Sequence, residues 1–239
     1  VAGSEEKMET ATTDDMATVA EETAPPDESA ASGGASEVAR EQLESMGIAF
    51  EPNEFLKCVS EGNSMAAECF LMAGMDPNSR GQEGQTALMY AANQGNIEMT
   101  ETLLKRSADV NAQDKAGTTA LLLACRKEHP AVASLLLDHG AEPNLSSGGR
   151  ALTVVAIRGD AELMNKLLQK GADVNAQSGD GMTALMYAAR LGDSEAVKIL
   201  LDNGADVRLK DKSGQTASMH AAKRNNNNII QLLNEAAGK

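Results

Sequence analysis

Apolar side chains recur along this chain in short blocks at helical spacing. In "TALMYAANQG" (86–95) and "NIEMTETLLK" (96–105) they fall three and four residues apart, which predicts two short helices joined at Gly95. Ile97, Leu103 and Leu104 are expected on the inward face of the second helix. At "KEHPAV" Pro130 follows His129, and the first helical position is where proline's missing N–H does no harm. Upstream, "SEVAREQLESMGIAF" places Val38, Ala39, Leu43 and Met46 on one side of a helix. Ser36 is expected to cap it and Gly47 to end it in the left-handed conformation. In the following "EPNEFLKCVSEGN", Asn53 is the next expected cap.

These blocks lie on a lattice. Gly62 to Gly95, Gly84 to Gly117, Gly159 to Gly192 and Gly181 to Gly214 are each 33 residues apart, as are Asn78, Asn111 and Asn144. From Asn144 to Asn175 the step is 31, and the two missing residues belong to the loop "LSSGGR". A constant period of this length predicts stacked units, each too small to bury its own faces. What repeats identically is Ala, Leu, Gly, Asn and Thr. A duplicated catalytic centre would repeat titratable groups instead.

The repeated text resembles the ankyrin repeat, whose usual pattern runs D-x-x-G-x-T-P-L-H-x-A-A-x-x-G, then a second helix ending in L-L, then G-A-D-V-N. "GQTALMYAANQGN", "GTTALLLACRKEH", "GMTALMYAARLGD" and "GQTASMHAAKRNN" carry the first half. "LLKRSADVN", "LLLDHGAEPN", "LLQKGADVN" and "LLDNGADVR" carry the second. The resemblance covers about 50 to 239 and implies an all-α ankyrin-repeat solenoid of about six helix-turn-helix units with β-hairpin-type loops, preceded by a disordered acidic tail (1–36). It divides the body into a cap helix (37–47) and units at about 50–81, 82–114, 115–147, 148–178, 179–211 and 212–239.

Departures from the pattern are specific. The family's proline becomes Ala87, Ala120, Ala184 and Ala217, and its histidine becomes Met89, Leu122, Met186 and Met219. Apolar packing is therefore expected where the histidine usually supplies hydrogen bonds between units. Methionine there looks more like bacterial or organellar members of the family. Arg150 stands where a threonine cap is expected, so an irregular hairpin is predicted beside it. Asn225 to Asn228 replace the last glycine turn, which predicts a frayed loop.

Composition sharpens this picture. There is no Trp, and the aromatics are three Phe and two Tyr, so burial must come from small side chains in closely packed layers. Of the net charge of -14, residues 1–37 hold ten acids and one base, too polar a segment to offset the entropy of ordering it. An acidic chain of this kind argues against a nucleic-acid partner. Cys58, Cys69 and Cys125 form neither a disulfide framework nor a zinc pattern and read as buried hydrophobes. No apolar run reaches the roughly 18 residues of a membrane helix. Val1 opens a segment with neither a basic start nor an apolar core. The segment is therefore not itself a signal peptide; the expectation is that it follows a removed targeting segment, with export or an organelle ahead of the cytoplasm.

No catalytic, cofactor or metal constellation is legible. His129, His139 and His220 lie in separate contexts, and no G-x-S-x-G, H-E-x-x-H or phosphate loop occurs. The resemblance implies instead a concave binding surface made of hairpin tips and the exposed ends of the first helices. Carried over residue by residue, the helix ends are Asn93 with Gln94, Arg126 with Lys127, Ile157 with Arg158, Arg190 with Leu191, and Lys223 with Arg224. Six of the ten are basic and none is acidic. The tips add Lys115 and Lys212, with Gln82, Glu83, Gln85, Asp180 and Met182 completing the line. The expected function is a monomeric, non-enzymatic module that binds an acidic protein surface, with the chain's own tail as a possible competitor. The alternative is a structural spacer in a larger assembly, using its lateral surfaces.

Overall fold

The computed structural model describes residues 28–145 and 150–238, with side chains from Gly34 onward. The tail expected over residues 1–36 thus lies outside the described residues as far as Asp27, and most of the expected irregular hairpin (146–149) does too. Thirteen helices and no strand are found among the described residues. After α1 (Glu28–Ser45) they form hairpins: α2 (Pro52–Ser60) with α3 (Ser64–Met72), α4 (Ala87–Gln94) with α5 (Ile97–Lys105), and α6 (Ala120–Arg126) with α7 (Pro130–Asp138). The series continues with α8 (Ala151–Arg158) and α9 (Ala161–Gln169), α10 (Ala184–Leu191) and α11 (Ser194–Asp202), and α12 (Ala217–Ala222) and α13 (Asn227–Ala237). First helices stack on first helices and second on second, and one core runs without a break from Ala39 to Leu233.

Local chemistry sets each helix start. Thr86, Thr119, Thr183 and Thr216 are extended N-caps whose hydroxyls accept from the N–H three residues on. Asn63, Asn96, Asp160 and Asp193 do the same for second helices. Arg150 offers no such oxygen, yet α8 still begins beside it, held by packing of Ala151, Leu152 and Val155 into the core. Pro130 opens α7 as expected.

Several expectations need correction. Ser36 is not a cap: α1 starts at Glu28, and the Ser36 hydroxyl donates to the Ala73 carbonyl at 3.3 Å. Two glycines cost a helix only about 1 kcal/mol each, and docking of Ala39 and Leu43 against α3 outweighs that. Gly47 does end the helix, with φ of 70°. Asn53 lies inside α2, whose cap is Glu51 with Pro52 at the first helical position. Of the expected apolar faces, Ala39 and Leu43 are buried, whereas Val38, Met46 and Ile97 are exposed. On α5, Met99 and Thr100 take the inward place given to Ile97. Asn225 does not fray the last turn; it adopts the glycine's left-handed conformation with φ of 57°.

The small-residue core explains the near absence of aromatics. Ala91, Ala92, Ala124, Ala156, Ala188 and Ala189 are completely inaccessible, letting adjacent helices approach closely. At the family's histidine position Met89, Leu122 and Met186 are buried, as expected, while Met219 in the last unit is 52% exposed, with no further first helix stacked on α12 among the described residues. The three cysteines are free and buried. Burial, and after it the charge of Asp160, pushes the Cys125 thiol up to about 12, so it stays protonated and inert.

Polar ladders lock the units in register. Asn78, Asn111, Asn144 and Asn175 each donate to a carbonyl of the next unit, at Ser107, Gly140, Gly171 and Gly204. Each also accepts from a backbone N–H two residues beyond that carbonyl. One side chain thus satisfies a donor and an acceptor of its neighbour, which is why asparagine recurs at the lattice interval.

Candidate functional site: the rows of tips and helix ends

Four hairpin tips among the described residues are closed by a backbone bond across five residues: Gly81 to Gln85, Asp114 to Thr118, Ser178 to Met182, and Asp211 to Gln215. The Arg80–Thr86 pair adds an antiparallel bridge in the first of these. Tips then join one another. The Lys115 N–H donates to Glu83 at 2.9 Å, and the Lys212 N–H to Asp180 at 3.1 Å. Side chains extend the ladder, with Arg80 donating to the Gln113 carbonyl, Gln113 to that of Leu145, and Gln177 to that of Lys210. Residues at one lattice position are therefore neighbours in space.

Helix ends are joined in the same way. Gln94 donates to the Ser60 carbonyl, and Arg158 reaches the Arg126 carbonyl at 3.4 Å. Gln82, Glu83, Gln94, Lys115, Arg126, Lys127, Ile157, Arg158, Asp180, Leu191, Lys212, Lys223 and Arg224 are all exposed, and Gln85, Asn93 and Arg190 partly so. Met182 is the correction. It is 4% exposed, because the tip folds it beneath Arg190, whose guanidinium lies 3.7 Å from its sulfur.

Charge along the rows is more balanced than a count of helix-end residues implies. Arg158 is paired with Glu128, which sits at the turn just past α6. Lys115 faces Glu83 at 3.7 Å. Arg190 lies 4.8 Å over the Tyr187 ring, and the Tyr187 hydroxyl donates to Asp180 at 3.0 Å. The Asp180 carboxyl is held below its ordinary range by the Ser178 hydroxyl first, and also by the Met182 N–H and Tyr187. Lys223 donates to Gln215, whereas Lys127 and Arg224 have no ionic partner among the described residues.

A hollow of about 330 Å³ lies between the first two units, walled by Asn53, Lys57, Ser60, Gln82, Gln85 and Tyr90. Tyr90 and Tyr187, at equivalent lattice positions, are the aromatic surfaces that sequence reasoning counted only as scarce core material. The signal was available. Both follow the buried methionine by one residue, which turns them a hundred degrees away from the core.

Comparison with known proteins agrees with this geometry. A family model for ankyrin repeats in sets of three copies matches residues 55–147 and again 152–238. The chain belongs to the ankyrin-repeat family. Ankyrin repeats are protein–protein interaction modules, so a protein partner follows. Each matched block holds three units, and α8 packs on α6 across the shortened loop between them. No curated protein matches the chain significantly. No helix among the described residues is long and apolar enough to cross a membrane.

Proposed function

We propose that this ankyrin-repeat chain is a non-enzymatic module that takes an acidic protein segment along the row formed by Arg126, Lys127, Arg158, Arg190, Lys223 and Arg224. One observation supports the reading: Arg158 donates to the Arg126 carbonyl of the preceding unit, so basic residues at equivalent positions would be neighbours whose fields add. Ile157 and Leu191, 43% and 51% exposed within the same rows, supply apolar anchors once an acidic partner has been drawn in. Tyr90, Tyr187 and the tips Gln82, Glu83, Gln85 and Asp180 give the edges hydrogen bonds and selectivity. Glu128 tempers the row and makes it choose acidic partners with room for an exposed carboxylate.

The test is charge reversal of Arg126, Arg158 and Arg190 to Glu together. Partners are first captured from the native source with the wild-type chain and identified by mass spectrometry. Binding of the captured partner is expected to fall at least about tenfold, more than about 1.4 kcal/mol, with helical content unchanged. Undiminished binding would favour the alternative, a spacer engaged through its lateral surfaces.

A further inference from the structure

Second helices expose one stripe each to the outside of the stack, and outside α3 nine of its ten equivalent positions are polar. Those equivalent to Met65 hold Glu98, Ala131, Glu162, Glu195 and Asn228, and those equivalent to Met72 hold Lys105, Asp138, Gln169, Asp202 and Glu235. In α3 they are methionines, 71% and 46% exposed. Beside them runs α1, antiparallel to α3. Its Gln42 meets Cys69 at 3.3 Å, and its Ser36 and Arg40 both donate to the Ala73 carbonyl. Val38, Gln42 and Met46 are successive turns of one row on α1, and Met65, Cys69 and Met72 are a row on α3. Since Gln42 and Cys69 touch, the two rows border a single groove.

Val38 is 57% and Met46 40% exposed, and the antiparallel register about the Gln42–Cys69 contact sets Met46 at the Met65 end of the groove and Val38 at the Met72 end. The groove's edges are acidic, with Glu37 and Glu41 on the solvent side of α1 and Glu68 between Met65 and Met72. Two cations stand at the Met72 end of the groove, and both are already engaged, Arg40 also through the Ala73 carbonyl. Arg40 lies over the Phe50 ring at 4.5 Å, and Arg106 donates to the Leu71 carbonyl at 2.8 Å.

We propose that the groove between α1 and α3 docks a basic amphipathic helix of a partner protein. Unbranched, polarisable methionines adapt to whatever apolar stripe a helix presents, and a trough between two helices is the shape that takes a third. Carboxylates along both edges select lysine and arginine on the flanks of that stripe. The chain's own N-terminal segment is the wrong occupant, because residues 1–27 carry eight acids against one base. A second copy fits less well: its outer helices present mostly carboxylates, and the cations of its basic row stand at the ends of separate helices instead of flanking one apolar helix stripe. This surface is distinct from the basic rows in place and in sign of charge, and it does not depend on them.

The full chain is titrated with an ~18-residue synthetic helix of leucine and lysine, leucines on one stripe, long enough to span the groove. Controls are a scrambled peptide of the same composition and a helix with glutamate replacing lysine. The patterned basic helix should bind and slow peroxide oxidation of Met65 and Met72 severalfold. Met65→Glu with Met72→Glu should weaken it at least about tenfold, and Met65→Gln with Met72→Gln severalfold. The triple arginine reversal should leave it within about twofold. The proposal is overturned by equal binding of the scrambled or acidic peptide, or by unchanged binding to both methionine variants. Self-association of the wild-type chain in sedimentation, abolished by Met65→Glu, would overturn it in favour of a second copy.

Discussion

Ser107, Glu128 and Asn225 hold φ of 64°, 61° and 57°, in the left-handed region, and each replaces a lattice glycine. Ser107 stands where Gly74, Gly140, Gly171 and Gly204 have φ between 85° and 90°. A side chain in this region costs about 1–2 kcal/mol, while glycine gives back about 0.5–1 kcal/mol through the freedom of the unfolded chain. Ser107→Gly should therefore stabilise the protein by roughly 0.5–1 kcal/mol, read as a higher urea midpoint at unchanged slope. A lower midpoint would show that Ser107 contributes more than its strain removes. Glu128 differs, because its carboxylate pairs with Arg158, so glycine there would exchange strain for a more basic row. Asn225 shows the limit of reading a lattice by letters. Missing glycine looked like a broken turn, yet asparagine tolerates the same backbone and the turn is kept.

The tip of the last hairpin depends on Asp211. One carboxylate oxygen accepts from the N–H groups of Ser213 and Gln215, both at 2.8 Å, and the other lies 2.8 Å from Nε2 of His220. The Gln215 N–H foremost, and His220 after it, hold this carboxyl below its ordinary value of 3.8. A depressed folded value means the stabilisation is complete above the unfolded value and is lost as pH falls through the folded one. The thermal midpoint of the wild type should drop on acidification below about pH 4. Asp211→Asn should start lower at neutral pH and drop less steeply over that window, though Asp138, Asp180 and Asp206 keep part of the slope. Parallel curves would mean that Asp211 does not couple the tip to protons. Most elements of this kind were legible, because a threonine or aspartate that caps does so through contacts three residues away. The start of α1 was not. Its stability comes from Ala73 and Cys69, some thirty residues downstream, and no local pattern encodes them. The pairing of Arg158 with Glu128 escaped for the same reason, being set by a neighbouring layer, and the burial of Met182 escaped because the tip folds it back beneath Arg190 of its own unit.

Across the whole molecule, charge is sorted by position. Residues 1–27 hold eight acids and one base, the outer helices are mostly acidic, and six cations stand at the ends of the first helices. A segment joined by a short flexible link has a local concentration in the millimolar range at any surface it can reach, so even a weak attraction lets it compete with an outside partner. The structure dictates where to cut. Removal must stop at Asp27, since α1 begins at Glu28 and its Ser36 and Arg40 are tied to Ala73. A labelled peptide of residues 1–27, added in trans, should bind the shortened chain several times more tightly than the intact one at about 20 mM salt. The gap should close at about 0.5 M, where the screening length is a few ångströms. Reversal of Arg126, Arg158 and Arg190 should abolish binding in both. Equal affinities for the two chains, or a complex indifferent to the reversal, would leave the tail a solubilising appendage, and the basic row would then act on outside partners without internal competition.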